Sequence, residues 1–503
     1  MCDKPWQAQC PASHATIMDL VELFFEIVYP IFPLFHQPTF LRQISRAEYS
    51  TDRSLFTVTM ASCALVSARV RDGAVFNPRW DVASLQHPPP DVFYREAARE
   101  LHQQSAKTDL NILRAHAILA LAAIQDGKVR DMQMHIGHYH TIVATEGLHD
   151  EDNWPSGLGL VEREERRRLF WSVYTLDIFT SVVWGGVIRS REYQSNVSYP
   201  TEVDDDMFDD SGFADAELPS TTVDAQHGSN TKSWIAGRNF VIDLYRVLEH
   251  IMMRLASRKS RAQRQTPVDK VLRASDSLSQ ESVLSSVMEM YNNLPQHFKV
   301  TNPVTSKARL DRFGFQAADI IATLQLLRMV LLSAVGAGVS EKCQVAHEVV
   351  SAFIAIPDTY HHAISVPLLF HLSVIVQIMA TTMEQPLSEG DYNSIRDVMM
   401  AMVRLLSTYE CLHASKDASQ RLKDQVSRID DYMAFQRHNV RDRMGITTSM
   451  EHASQLPSTP FRESTPANFG QTTLNDTLAQ SPFQLPSDLL GELSQVFDFS
   501  QIS

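Results

Sequence analysis

Residues 161–183 read VEREERRRLFWSVYTLDIFTSVV, and this stretch decides the fold. A charged start gives way to an apolar run with large aromatic side chains, and Gly185-Gly186 follows shortly after it. Acidic residues are favourable in the first turn of a helix, and glycine commonly ends one. The stretch therefore predicts a long helix that is mostly buried.

The remainder of the chain up to about residue 440 also shows helical patterning. The 18 Gly and 23 Pro are few for 503 residues, which favours long helices over short strands. The predicted fold class is all-α, with a large multi-helix domain at 16–440 after an irregular N-terminus at 1–15. Further helices are predicted over 18–28, 55–70, 91–105, 110–125, 131–146, 233–257, 268–293, 311–336, 341–355, 364–384, 391–413 and 417–437.

Two polar stretches are predicted to lie outside the packed helices. Residues 201–232 are acidic and rich in Gly, Ser and Asp, and we interpret them as a mobile acidic loop. Residues 441–503 are predicted to form a disordered tail, because 444–480 is dominated by Ser, Thr, Pro, Gln and Asn. Near its end, 483–499 alternates acidic and bulky apolar residues, which suits a segment that folds in a partner's groove. We call this the activation segment, with anchors at Leu489, Leu490, Leu493, Phe497 and Phe499.

Charge and cysteine usage limit the function classes. With a net charge of −14, the chain itself is expected to bind nucleic acid poorly, because the phosphates are also negatively charged. A structural zinc site needs about four ligands at close spacing, and the cysteines are scattered, as is typical of a reducing compartment: Cys2, Cys10, Cys63, Cys343 and Cys411.

The uncharged stretch 362–383 is long enough to cross a bilayer. It contains Pro367, His371 and Gln377 and has no basic flank, which favours a buried core helix over a membrane span. No membrane partner is expected.

An enzyme is the least favoured hypothesis. Residues 205–209, DDMFD, match the pattern that chelates magnesium diphosphate in all-helical terpene synthases. Paired carboxylates are suitable ligands for the magnesium ion. They lie in a polar loop, however, and no second magnesium motif follows. His135, His138 and His140 lack further ligands to complete a metal set, so a helix surface is favoured there. We assign no catalytic, cofactor-binding or metal-binding residue.

A basic run could serve nuclear import or contact phosphates. The alternative, which we favour, is a solvated helix end whose cations offset the helix dipole. The run consists of Arg258, Lys259, Arg261 and Arg264.

The motif order in 161–200 resembles the fungal-specific transcription factor domain, the middle regulatory region of fungal zinc-cluster regulators, including xylanolytic activator-like members. Residues 29–40, YPIFPLFHQPTF, and the glycine-to-GLH helix at 137–149 agree with it. The chain departs from the family at Ile178, where Arg is usual, and at Gly186-Val187, where Arg-Pro is usual. The matching positions are Glu164, Glu165, Arg167, Arg168, Phe170, Trp171, Tyr174, Asp177, Gly185 and Pro200.

These motif residues have a structural interpretation. Pairs between the two glutamates and the two arginines at i,i+3 or i,i+4 would contribute about 0.2–0.5 kcal/mol each. Phe170, Trp171 and Tyr174 would anchor neighbouring helices. Asp177 would face inward and need an arginine partner, one candidate source being the start of the same helix, since an unpaired buried charge is costly.

The resemblance implies a nuclear regulator of RNA polymerase II-dependent transcription. Its tail would recruit the transcription machinery or coactivators, and related zinc-cluster regulators are further candidate partners. The family's zinc-cluster module is missing from this sequence, so zinc and DNA contact are expected only through a missing N-terminal module or a partner. No cofactor is expected in the chain itself. The alternative is an interaction scaffold or a trans-acting inhibitor of related regulators.

Overall fold

The computed structural model describes residues 6–214, 233–263, 280–305, 307–335, 337–410, 412, 417–451, 485–486 and 490. Helices dominate these residues, which confirms the predicted all-α class. The strands among them form one short antiparallel hairpin, β1 (Phe208–Asp209) with β2 (Gly212–Phe213).

Four of the eight helices in the N-terminal half, α1, α3, α4 and α6, begin at residues whose side chains cap free main-chain N–H groups. Ser13 accepts from Thr16 N, and Asp109 accepts from Asn111 N, as expected of N-caps. The helix α3 packs against α5 and α6, and α6 packs against α7. The helices are α1 (His14–Ile27), α2 (Gln37–Ser45), α3 (Arg53–Arg71), α4 (Val82–Leu85), α5 (Pro90–Gln103), α6 (Leu110–Gln125), α7 (Val129–Thr145) and α8 (Leu160–Trp184).

The C-terminal half is helical throughout its described part. Ser388 and Asp391 form a reciprocal capping box at the start of α15. The helix α11 packs against α9, and α15 packs against both α12 and α16. These helices are α9 (Ile235–Gln263), α10 (Gln280–Asn293), α11 (Ala308–Val335), α12 (Val339–Ile354), α13 (Asp358–Ile364), α14 (Val366–Met383), α15 (Glu389–Ser407) and α16 (Ala418–Glu451).

The two halves share one apolar core. The helix α14 packs against α6 and α8 from the first half, and α8 packs against α9 from the second. A continuous cluster of buried side chains runs from Ile17 in α1 to Met433 in α16. The stretch predicted as a core helix at 362–383 is α14, preceded by the separate short helix α13.

One helix among the described residues, Ala308–Leu332, is long and apolar enough to cross a membrane. Within its most apolar 18-residue window, 89% is buried in the fold, as in the core helix of a globular domain. The bent pair Asp358–Ile364 and Leu369–Met383 meets the same criteria only when the two helices are taken together.

Some boundaries differ from the sequence predictions. The helix α2 was not predicted. It carries Pro38 in its first turn, where proline is well tolerated. The helix α16 extends to Glu451 and so passes the predicted domain boundary at 440. No proline interrupts the chain between 441 and 451. Of the predicted tail, 452–484, 487–489 and 491–503 lie outside the described residues.

Candidate functional site

The helix α8 carries the family motif through the centre of the domain. Phe170, Trp171 and Tyr174 are buried, and the Trp171 ring meets the other two edge-on at centroid distances of 5.3 and 5.1 Å. The Trp171 Nε1 donates to Ser198 O at 2.9 Å. Pro200 is buried beyond it, and its carbonyl accepts from Asn239 at 3.0 Å. The aromatic face therefore fixes the chain that follows the helix.

A salt-bridge cluster stabilises the start of α8. Both Arg167 Nε and Arg167 Nη2 donate to Glu151 at 2.8 Å, and Arg167 Nη1 donates to Glu164 at 2.8 Å. Glu164 also accepts from Thr201 N at 2.9 Å. The predicted i,i+3 pair of Glu164 with Arg167 is thus present. The pair also contacts Glu151, which precedes the helix in sequence, and Thr201, which follows it.

The pairs predicted for Glu165 and Arg168 within the helix are wrong. Glu165 pairs with Arg114 at 2.5 Å and accepts from His36 N at 2.7 Å. Arg168 Nη1 pairs with Asp205 Oδ1 at 2.6 Å. The side chains of Glu165 and Arg168 are both buried. Their partners therefore come from other elements in the core.

Asp205 lies at the centre of a buried polar cluster that we call the Asp205 clamp: Tyr29, Gln37, Arg168 and Asp205. Its carboxylate accepts from Tyr29 Oη at 2.5 Å, from Gln37 N at 2.7 Å and from Arg168. Burial alone would raise the pKa of Asp205, but Arg168 and these hydrogen bonds outweigh burial and lower it. The clamp ties the turn after α1 and the start of α2 to α8.

The prediction of a mobile loop is wrong for residues 201–214. The sequence predicted that Asp204–Asp210 would lie in a mobile, solvated loop, yet Asp204 and Asp205 are buried. The physical reason is Arg168, whose buried charge requires a carboxylate partner. Residues 215–232 of the predicted loop lie outside the described residues.

Asp177 is fully buried near the end of α8. It accepts from Arg189 N at 2.5 Å, from Ser190 N at 3.0 Å and from Arg189 Nη1 at 2.9 Å. The expected arginine partner exists, but it comes from the segment after the helix and not from its start. Tyr174 Oη donates to the buried Glu249 at 2.6 Å.

Gly185 ends α8 in the left-handed region, with φ of +69°. A side chain is disfavoured at this φ, which explains the glycine at the family position. The segment from Gly186 onward then returns along the helix to reach Asp177.

Other predicted positions are only partly described. Arg258, Lys259 and Arg261 belong to α9, but their side chains lie outside the described part, as does Arg264. In the activation segment, Leu490 is buried against the core. The other four anchors lie outside the described residues: Leu489, Leu493, Phe497 and Phe499.

Two of the histidines of α7, His135 and His138, contact His116 of α6, and His135 also contacts Tyr94 of α5. His135 lies 3.2 Å from His116 between their Nδ1 atoms, and its Nε2 lies 3.0 Å from Tyr94 Oη. Burial lowers the pKa of His116 to about 3 and that of His135 to about 4. In the described part of the chain, no group of three or more His, Cys, Asp or Glu side chains could hold a metal ion.

Sequence comparison identifies the family. The model of the fungal specific transcription factor domain matches residues 21–296, which contain the Asp205 clamp and all of α8. The chain belongs to this family. Within this domain, the charged side chains of α8 contact Tyr29 and His36 from the segment 29–40 and Arg114 from α6.

Relatives of the chain are named as transcriptional regulators. It is 24% identical over 288 residues to transcriptional activator protein acu-15 of Neurospora crassa, which covers 56% of this chain and 27% of the relative. It is 23% identical over 240 residues to activator of stress genes 1 of Saccharomyces cerevisiae, covering 46% and 24%. Transcription factor yanR of Aspergillus niger is 29% identical over 192 residues, covering 33% and 22%. The chain thus spans about a quarter of the length of these relatives.

Proposed function

We propose that this protein regulates transcription in the nucleus through its helical domain. The observation that carries the proposal is the match of residues 21–296 to the family domain, together with relatives named as activators. Contact with DNA would come from a zinc-cluster module, either outside the part of the chain described or on a partner regulator. The described residues would supply the regulatory body, and the activation segment at 483–499 would recruit the transcription machinery or coactivators.

The geometry of the DDMFD stretch supports a structural role over catalysis. A magnesium diphosphate site needs carboxylate oxygens that are free to bind the cation. The carboxylate of Asp205 instead accepts three hydrogen bonds, from Tyr29, Gln37 and Arg168. Asp209 accepts from Ser211 N at 2.8 Å within its own turn. We therefore propose that the acidic stretch holds the fold and that the chain is not an enzyme.

A reporter assay tests this function. Residues 441–503 and the full chain are each fused to an unrelated DNA-binding domain and expressed in a fungal host carrying a matching reporter. We expect the tail fusion to activate the reporter. A matched tail with Leu489, Leu493 and Phe497 replaced by Ser should be inactive, because a disordered activator binds through its apolar anchors.

Two results would contradict the proposal. Silent tail and full-chain fusions, at protein levels equal to an active control fusion, would remove the activation claim. Repression of a co-expressed zinc-cluster regulator by the full chain, with no activation in either fusion, would favour a trans-acting inhibitor instead.

A further inference from the structure

An internal cavity lies where six helices meet, at α3, α8, α9, α11, α13 and α14. About 30 Å³ of it is open to the centre of a water-sized sphere. A single water needs roughly 10–15 Å³ by this measure, so the cavity has room for about two or three waters. Its lining includes five ionisable side chains and the hydroxyl of Thr175 in an otherwise apolar wall, which is unusual for the centre of a core. The five are Arg69, Arg238, Tyr245, Asp319 and His371.

Two of these side chains are buried arginines. Arg69 Nη1 donates to two main-chain carbonyls, Ile27 O at 2.8 Å and Ala363 O at 2.6 Å, while its Nε has no hydrogen-bond partner. Arg238 Nη2 donates to Thr175 at 2.8 Å. Neither guanidinium is more than 3% exposed, so both charges require compensation inside the fold.

The acids near these arginines leave an excess of positive charge. Asp319 lies 3.7 Å from Arg238 Nη1, too far for a close ion pair. Burial lowers the pKa of Arg69 and the negative charge of Asp72 opposes that shift, but Asp72 accepts hydrogen bonds from Arg71 and from Gln125. The cavity wall itself therefore holds two guanidinium groups and one carboxylate.

The same wall also holds two acceptors that lack a donor. Asp319 Oδ2 has no hydrogen-bond partner. His371 Nδ1 faces Pro367 O at 2.8 Å and so carries the ring proton, which leaves His371 Nε2 as an unpartnered acceptor. Both residues are less than a tenth exposed. A ligand that suits this wall needs an anionic end and a hydroxyl donor.

Protonation is consistent with this arrangement near neutral pH. Burial lowers the pKa of Arg69 to about 10, which leaves it charged, and raises that of Asp319 to about 6, which leaves it largely ionised. Burial lowers the pKa of His371 to about 4, so its ring is neutral.

We propose that the cavity binds a small hydroxycarboxylate of about the size of glycolate, with its carboxylate at Arg69 and Arg238 and its hydroxyl donating to His371 Nε2. Glycolate occupies about the liquid volume of three waters, which matches the cavity. The binding depends on the cavity alone and goes beyond the proposed regulatory function.

Equilibrium dialysis of radiolabelled glycolate against the full chain tests the proposal. For so small a ligand we expect a Kd between about micromolar and millimolar. Glycolamide, which lacks the charge, should not compete, and acetate, which lacks the hydroxyl, should compete more weakly. Absence of saturable glycolate binding to the folded wild type would overturn the proposal and leave water as the occupant.

Variants locate the binding. Arg69→Gln and Arg238→Gln should each weaken glycolate binding at least about tenfold, since hydrogen bonds to charged groups are the strong ones. Asp319→Asn should tighten it, because the competing negative charge is removed. Arg328→Gln is the matched control on the same helix as Asp319, outside the cavity and paired with Glu348, and should leave binding unchanged.

Folding is checked by circular dichroism and thermal transitions for each variant. If the arginine variants do not fold, Asp319→Asn and the two competing ligands still decide the matter. Binding that Asp319→Asn weakens, or that glycolamide displaces as well as glycolate does, would overturn the assignment. None of these readouts depends on transcription, so failure of the cavity proposal is distinguishable from failure of the proposed function.

Discussion

The side chain of Asp205 carries the largest single effect on stability that we predict. In Asp205→Asn the buried Arg168 loses its only carboxylate in the clamp. Removing one partner of a buried ion pair costs about 3–5 kcal/mol, because the remaining charge stays out of water. Chemical denaturation of the variant should show a loss of this size in the free energy of unfolding. Asp206→Asn is the matched control, since Asp206 is 60% exposed, and it should cost at most about 1 kcal/mol.

The Asp205 clamp also predicts a pH dependence. The pKa of Asp205 is lowered by folding, so its stabilising contribution is complete above the unfolded pKa of about 3.9 and is lost as pH falls through the folded pKa. The difference in stability between the wild type and Asp205→Asn should be constant from about pH 5 to 8 and shrink below about pH 4. A difference that grows toward acid pH would contradict the ionised clamp.

The hydrogen bond from Tyr174 to the buried Glu249 gives a further prediction. Tyr174→Phe removes the hydrogen bond to Glu249, a carboxylate with no exposure. A buried charged acceptor left short of a donor costs about 1–3 kcal/mol. Tyr193→Phe is the control, because Tyr193 is 62% exposed, and a change within about 0.5 kcal/mol is expected there. Equal losses in both variants would show that the hydroxyl of Tyr174 is not specifically used.

At the scale of elements, the end of α8 depends on backbone conformation. Gly185→Ala places a β-carbon at φ of +69° with no other atom within 4 Å, so the cost of about 1–2 kcal/mol comes from the left-handed conformation alone. Gly186→Ala is the adjacent control, because its β-carbon would meet only Gln133 at 3.5 Å, an ordinary contact. Thermal unfolding should separate the two variants, and equal midpoints would argue against the left-handed cap.

The helices could be predicted from the sequence because each depends on local patterning. The predicted helix at 110–125 matches α6 to the residue, and 161–183 differs from α8 by one residue at each end. Short elements were missed where a proline opens them, as in α2. Helix periodicity reads one element at a time, so it identified elements better than the contacts between them.

The partners of the motif residues could not be predicted in the same way. Arg168 and Asp205 are 37 positions apart, and Arg114 and Glu165 come from different helices. Their pairing depends on how α6, α8 and the segment at 201–214 pack, which local spacing does not contain. The acidic composition of that segment predicted that it would be solvated. Asp205 is buried nevertheless, because the buried charge of Arg168 requires a carboxylate partner. Asp177 shows the same limit, since its need for an arginine was predictable but the source, Arg189, was not.

At the scale of the whole molecule, one core includes part of the activation segment. Leu485 and Leu490 are buried and belong to the same apolar cluster as the helices. If the segment recruits partners as proposed, its apolar side chains cannot pack against the helical body and a partner groove at once. Packing of the segment on the body should therefore reduce activation by the full chain relative to the isolated tail.

Leu485→Ser tests this competition in the two reporter fusions. In the full chain it should raise reporter output toward that of the isolated tail, because burying a serine hydroxyl in place of an apolar side chain weakens the docked state. In the isolated 441–503 fusion it should change little, since Leu485 is not one of the predicted anchors and no helical body is present. Leu310→Ser, at a leucine 55% exposed on α11, is the control in the full chain. Equal changes in both fusions would mean that Leu485 acts within the segment itself, and the body would then leave the tail free to bind its partners.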